Sequence, residues 1–194
     1  PKTSAFIEYD RKQVDFTPAT TTLDNTMDTF SLGFTWDVIG RSKGTIKAGR
    51  TAKDFEDPAE KDFTVWTWAV KVNHFFSDLT AVNVIGSRDV NETNFSGTSY
   101  FIATGASADV THRFANKMAF VVRGSYGRDL YSNAVPPSTT AREDTTSMAG
   151  AGLKYFMKDW LEFGADYRKR NRDSNINAND YVETHYLLSM SMAF

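Results

Sequence analysis

Residues able to do chemistry are sparse in this chain of 194 residues, and most of them are charges set at even spacings within a segment. Metal binding or nucleophilic catalysis requires His, Ser, Asp or Glu side chains that converge on one point. The three histidines, His74, His112 and His185, fall in different segments, and neither His74 nor His112 has an acidic residue at metal-ligand spacing. Solvated side chains are the expectation for both. His185 stands two residues from Glu183, which in a strand puts the pair on one face and suits an ion pair or a hydrogen bond. No nucleophile accompanies it, so no catalytic set, cofactor or metal is expected.

The larger chemical resource is the series Glu8, Lys47, Lys71, Arg123, Lys154, Glu162, Asp166, Arg168, Glu183 and His185. Each occupies the polar phase of a segment in which apolar and polar residues alternate. Charges gathered on one face of a sheet either pair with one another, offsetting the cost of desolvation, or stay hydrated and decide which solutes pass. Phe101 and Tyr181 share that phase and suit either stacking on sugar rings or packing against other side chains.

What positions such a series is a set of strands. In residues 30–38 one phase holds Phe30, Leu32, Phe34, Trp36 and Val38, and the other Ser31, Gly33, Thr35 and Asp37. This is the period of a strand with one buried face, and not that of a helix. The same alternation predicts about ten strands, near residues 3–16, 28–38, 43–54, 63–74, 79–90, 98–110, 118–131, 145–157, 160–171 and 180–194. Short links fall near 39–42, 75–78, 111–117 and 158–159. Longer ones, rich in Asn, Asp, Thr, Ser and Pro, fall near 17–27, 55–62, 91–97, 132–144 and 171–179.

Composition removes several function classes. Lys+Arg is 22 against Asp+Glu at 24, so no basic field exists to recruit nucleic acid. Cysteine is absent, which excludes disulfides and thiolate metal sites. No apolar run approaches the roughly 20 residues of a membrane helix. The length suits one domain, 1–194. No initiator Met stands before Pro1, so the chain reads as a processed or truncated product.

The apolar phase carries no charge on several strands: Trp66, Trp68, Val70 and Val72; Tyr100, Ile102, Thr104, Ala106, Ala108 and Val110; Met118, Phe120, Val122, Gly124 and Tyr126. Leu161, Phe163, Ala165 and Tyr167 continue the pattern, as do Val182, Thr184, Tyr186, Leu188, Met190, Met192 and Phe194. A charge at the bilayer midplane costs a few kcal/mol, so uncharged bands are what a lipid-facing wall requires. Trp36, Tyr155 and Trp160 lie near short links and Tyr9, Tyr126 and Tyr167 towards long ones, as two interfacial aromatic girdles would, with Trp66 and Trp68 on the same face. A soluble β-sandwich also alternates, but its strands are about 5 to 6 residues long, half the length here. The expected fold is therefore all-β: a transmembrane up-and-down antiparallel β-barrel. Short turns then face the periplasm and long loops the exterior, and an even strand count puts both chain ends in the periplasm.

The chain resembles bacterial β-barrel porin family 2, outer-membrane barrels often encoded with exopolysaccharide or capsule export machinery. The resemblance is carried by Lys2-Thr3-Ser4-Ala5-Phe6-Ile7-Glu8-Tyr9, by residues 30–36, by Gly49-Arg50-Thr51 before an acidic loop, by Lys154-Tyr155-Phe156 and by Phe163-Gly164-Ala165-Asp166-Tyr167-Arg168. Asp173-Ser174, then Asp180-Tyr181 and the last strand, complete it. Ending on Phe194 behind alternating apolar residues resembles the C-terminal signal by which such barrels are recognised for insertion, which implies the barrel-assembly machinery as a partner. The resemblance implies a non-enzymatic barrel in the outer membrane, exporting or admitting polysaccharide or other polar solutes, with polysaccharide-export proteins as further partners. Because Lys2 to Tyr9 is similar to an internal strand of those proteins, it also implies either a complete barrel or the C-terminal part of a larger one. Size matters here, since about 8 to 10 strands enclose a filled interior and an aqueous channel takes about 16. Two alternatives stay open: a small closed barrel acting through its long loops, and, less favoured, a lipid-modifying enzyme at the loop end. Arg168-Lys169-Arg170-Asn171-Arg172, charged on both faces, suits a solvated rim meeting outer-membrane lipid and lipopolysaccharide, or a gate for an anionic polymer.

Overall fold

The structure is a computed structural model that describes residues 2–16, 23–93, 97–115, 117–134 and 139–193. Ten antiparallel strands form one sheet in sequence order: β1 (Lys2–Val14), β2 (Asn25–Val38), β3 (Ser42–Phe55), β4 (Phe63–Ser77), β5 (Thr80–Glu92), β6 (Tyr100–Ala115), β7 (Met118–Tyr131), β8 (Glu143–Lys158), β9 (Leu161–Ser174) and β10 (Tyr181–Met192). Every strand pairs with its neighbours in the chain. β1 and β10 are each paired along one edge only, so the sheet is open and the described strands do not close into a small barrel.

Strand length and the alternation of short and long connections agree with the sequence reading. Several boundaries move by a few residues and one by more: β6 continues past 110 to Ala115, because His112 pairs with Phe120 and Arg113 with Ala119 before the chain turns. Thr111-His112-Arg113 looks like a polar link, yet its alternation is unbroken. β4, β6 and β8 each shift register just before a short turn, at Phe75/Ser77, Arg113/Ala115 and Phe156/Lys158. In the β2–β3 turn Gly40 adopts φ 71°, a left-handed conformation that glycine takes without strain, and the Arg41 amide donates to the Val38 carbonyl at 2.9 Å.

The register fixes two faces. Pairings such as Glu8 with Ser31, Ser31 with Gly49 and Gly49 with Thr67 run the polar phase of one strand beside that of the next, and this continues to β10. On this charged face the small residues Ser31, Thr51, Thr67, Ala119 and Val121 are buried. The opposite face exposes Phe34 at 60%, Trp66 at 65%, Tyr186 at 81% and Leu188 at 85%. Nothing else covers a single-layer sheet, so the crowded charged face is its concave side. Among the described residues only Met27, Ala119 and Val121 are buried apolar residues. A water-soluble sandwich has the reverse arrangement, large apolar groups inside and polar ones out.

One seam interrupts the wall. The β4–β5 ladder ends at Trp68 and Arg88, so residues 63–67 and 89–92 are not paired with each other. Side chains bridge there instead: Arg88 Nε donates to the Trp66 carbonyl at 3.2 Å, and Lys53 Nζ, fully buried, to Glu92 Oε1 at 2.5 Å. Tyr100, expected at the head of the apolar run of β6, lies across this seam and stacks on Phe63 at 4.1 Å. Its ring thereby reaches past β5 to β4, where the β4–β5 pairing has ended.

Candidate functional site

All ten residues of the charged series lie on the concave face; eight of them form ion pairs with charged residues of the same face, and His185 hydrogen-bonds to Glu183. Lys47 on β3 reaches over β2 to Glu8 on β1. Lys154 Nζ donates to Glu162 Oε1 at 2.7 Å between adjacent strands. Glu183 accepts from His185 Nε2 at 2.8 Å and lies 3.6 Å from Arg170 Nη1. Of the ten, Lys71 alone has neither kind of partner among the described residues, and it is exposed to solvent.

The central members form a transverse network across five strands. Asn83 Nδ2 on β5 donates to Asp109 Oδ2 on β6 at 3.5 Å, and Asp109 Oδ1 lies 3.6 Å from Arg123 Nε on β7. Arg123 then passes over β8 to pair with Asp166 on β9, whose other oxygen accepts from Arg168 Nε at 2.6 Å. Gly152 makes the crossing possible. A Cβ there would stand 2.6 Å from Asp166 Oδ2 and 3.3 Å from Arg123 Nη1, so a side chain on β8 would occupy the path of the pair. Sequence reasoning named Arg123, Asp166 and Arg168 but missed Asp109. The detectable signal was the small phase of β8, Gly150 and Gly152, lying beside charged phases on either side.

A second cluster stands at the loop end. Arg142 grips Asp144 with Nε at 2.9 Å and Nη2 at 2.6 Å, which pushes the already high pKa of this guanidinium further up, and Arg172 Nη1 lies 3.7 Å from the same carboxylate. The guanidinium of Arg142 covers the Tyr131 ring at 4.7 Å, Tyr131 stacks on Phe101 at 5.2 Å, and Arg172 covers Tyr181 at 5.2 Å. Phe101 and Tyr181 therefore pack against residues of the same wall. On β2 to β4, Thr29, Thr51 and Thr67 form a row of hydroxyls at 2.8 and 3.3 Å. Together with Ser31, Asp10, Lys12 and Lys47 they line a hollow of about 160 Å³.

The remaining histidines serve local structure. His74 meets the Phe76 ring edge-on at 4.5 Å, and His112 Nδ1 lies 2.8 Å from Thr80 Oγ1. Among the described residues no group of three His, Asp or Glu side chains is close enough to hold a metal ion.

The expected interfacial aromatics occupy the apolar face or its rim. Tyr9 donates its hydroxyl to Asp28 Oδ1 at 2.7 Å, Trp36 donates Nε1 to Ser42 Oγ at 2.8 Å, and Tyr167 packs on Tyr186 at 5.3 Å. Trp66, Tyr126 and Tyr155 are exposed, Trp68 is half-buried beside Gly86, and Trp160 sits in the β8–β9 turn. Phe194 lies outside the described residues. Tyr and Trp that offer a polar atom near the rim and a ring towards the middle suit a membrane interface.

The wall resembles solved outer-membrane proteins. The outer membrane channel DcaP of Acinetobacter baumannii matches with a TM-score of 0.67 at 16% identity, over 100% of this chain and 59% of that one. A loop L8 deletion mutant of OmpT, an outer membrane protein of Vibrio cholerae, matches with a TM-score of 0.53 at 11% identity, over 97% of this chain and 62% of that one. The chain thus spans about three fifths of the length of either neighbour, and the likeness is one of fold. No curated protein matches it in sequence. The family model described as "Putative beta-barrel porin 2" matches residues 1–194, and with the two-faced wall of ten strands it gives the identification: the chain belongs to that β-barrel porin family.

Proposed function

We propose that the chain forms the wall of an outer-membrane channel for polar solutes, its concave face lining the water path and its apolar face meeting lipid. The observation that carries this reading is the division of charge. From β1 to β10 the apolar face is uncharged, apart from His74 and His112 near the short turns, until eight or more residues beyond those turns. The concave face meanwhile holds a connected set of ions. Hydrocarbon excludes the second arrangement and water does not require the first. Porin-family membership supports the same place and role, and the orientation proposed with it has the short turns and both chain ends on the periplasmic side. Insertion by the barrel-assembly machinery and a lack of enzymatic activity belong to this reading.

Unpaired backbone on the free edges of β1 and β10 cannot face lipid, so further strands complete the wall. A wall of about 16 strands also leaves a water-filled interior, which ten would largely fill. Since the charges of the central network are mutually paired, the path suits neutral polar solutes as well as small ions. A carbohydrate is among such solutes, and polysaccharide export is the extended form of that reading.

Planar-bilayer recording of the full-length protein tests the channel. A stable ohmic conductance is expected, and a bilayer no more conductive than protein-free lipid would overturn the proposal. Swelling of protein-loaded vesicles in glucose and in longer glucans then decides between a small-solute path and one wide enough for a polymer.

A further inference from the structure

On the apolar face each odd-numbered strand carries one cation at nearly the same distance from its short-turn end. The spacing is eight residues from Ser42 to Arg50 on β3, from Thr80 to Arg88 on β5 and from Leu161 to Lys169 on β9. It is nine from Lys2 to Arg11 on β1 and ten from Met118 to Arg128 on β7. With about 3.3 Å per residue and a strand tilt near 40°, these cations stand roughly 20–25 Å above the turns. That height is the top of a hydrocarbon band about 25 Å tall.

We infer that these five cations form a girdle that binds the phosphate groups of lipid A in the external leaflet. Three of the five keep their charge free of carboxylates, while Arg11 and Arg128 share theirs with an acidic neighbour. Arg11 lies 3.8 Å from Asp28 and Arg128 pairs with Glu143 at 2.6 Å. Arg50 lies over the Trp66 ring at 5.5 Å, and Arg88 donates to the Trp66 carbonyl and to Thr104 Oγ1 at 2.9 Å, all neutral groups. Arg50, Arg88 and Lys169 have no carboxylate within ion-pair distance among the described residues. A cation at the edge of hydrocarbon is stable there when its charge meets an anion at headgroup level, and bidentate phosphate recognition suits arginine in particular. The even-numbered strands carry only Asp28, Glu143 and neutral residues at this height, which sets the cations apart at alternate strands. A glycolipid with two phosphates can bridge such spaced charges. A phospholipid with one phosphate meets them singly.

This inference rests on the proposed orientation, with the long loops external. Its test is binding. The full-length protein in detergent micelles is titrated with bisphosphorylated lipid A, with lipid A stripped of both phosphates and with phosphatidylglycerol, and adducts are read by native mass spectrometry. Bisphosphorylated lipid A is expected to bind more tightly than either other lipid by about tenfold or more, and the triple variant R50Q/R88Q/K169Q to lose that margin. Arg88 also braces Trp66, so the double variant R50Q/K169Q, which leaves the brace intact, is measured beside it and should lose most of the margin. Heat-dependent gel mobility reports whether each variant is folded. Equal binding of the three lipids, or a folded triple variant that keeps the margin, overturns the girdle. Conductance in phosphatidylcholine bilayers is a separate readout: a protein that conducts without selecting lipid A removes the girdle and leaves the channel, and the converse removes the channel alone.

Discussion

At the scale of single residues the charged face separates into groups held by partners and groups left to water, and the two should answer substitution differently. Asp166 serves Arg123 and Arg168 at once. D166N leaves two guanidinium groups short of their anion, so it should destabilise the fold by about 1–3 kcal/mol in urea titrations from vesicles. It should also move the reversal potential in a KCl gradient towards anion preference. Lys71, with no ion-pair partner and open to solvent, should behave otherwise: K71Q moves the reversal potential towards cation preference while stability stays within about 0.5 kcal/mol. Equal effects of the two on both quantities would contradict this division. The pairing of His185 with Glu183 was legible in the sequence because both sit on one strand two residues apart. The Arg123–Asp166 pair was not, since its members are 43 residues apart and meet only where Gly152 leaves the intervening strand bare. Pairs of that kind depend on register and on what an intervening residue lacks, and alternation reports neither.

At the scale of the strand, alternation located all ten elements and put the charged series on one face, because a period of two leaves no freedom once one phase is apolar. It misplaced boundaries where the chain bulges before a turn, as at the end of β6, and it put Tyr100 on the wrong side where β4 and β5 part. Twist and seam arise from the pairing of whole strands, which local pattern does not encode. The parity itself can be tested at the middle of β6. A108R places a guanidinium on the apolar face and should cost about 2–4 kcal/mol of folding free energy in vesicles. S107R, one residue earlier, points to the charged face and should be tolerated with little loss. If the two substitutions cost the same, the assignment of faces is wrong for that strand.

For the molecule as a whole, depth in the membrane is the quantity that the two faces imply. The four tryptophans are Trp36 and Trp160 near the short turns and Trp66 and Trp68 towards the long loops. Vesicles containing lipids brominated close to the headgroup should therefore quench tryptophan emission more than lipids brominated at the chain ends. Stronger quenching from the chain ends would place these rings mid-bilayer and contradict the two girdles. The class of fold and its membrane character could be read from the sequence alone. Whether ten strands close on themselves could not, because closure is decided by the two edge strands, whose alternation is the same whether or not a partner lies beside them. The structure answers for the described residues: β1 and β10 stay apart.

The strict neighbour pairing of β1 through β10 has an evolutionary corollary. A hairpin in such a wall is a unit that can be duplicated or deleted without re-threading any other strand, and because it contains two strands, its loss or gain leaves the facing of every remaining residue unchanged. Circumference then changes in whole hairpins, and with it the bore, which grows about linearly with strand number. Lineages built on this plan can explore pore diameter by copying genetic segments of some 40 codons, the span from one hairpin to the next, while the chemistry of the wall is inherited intact.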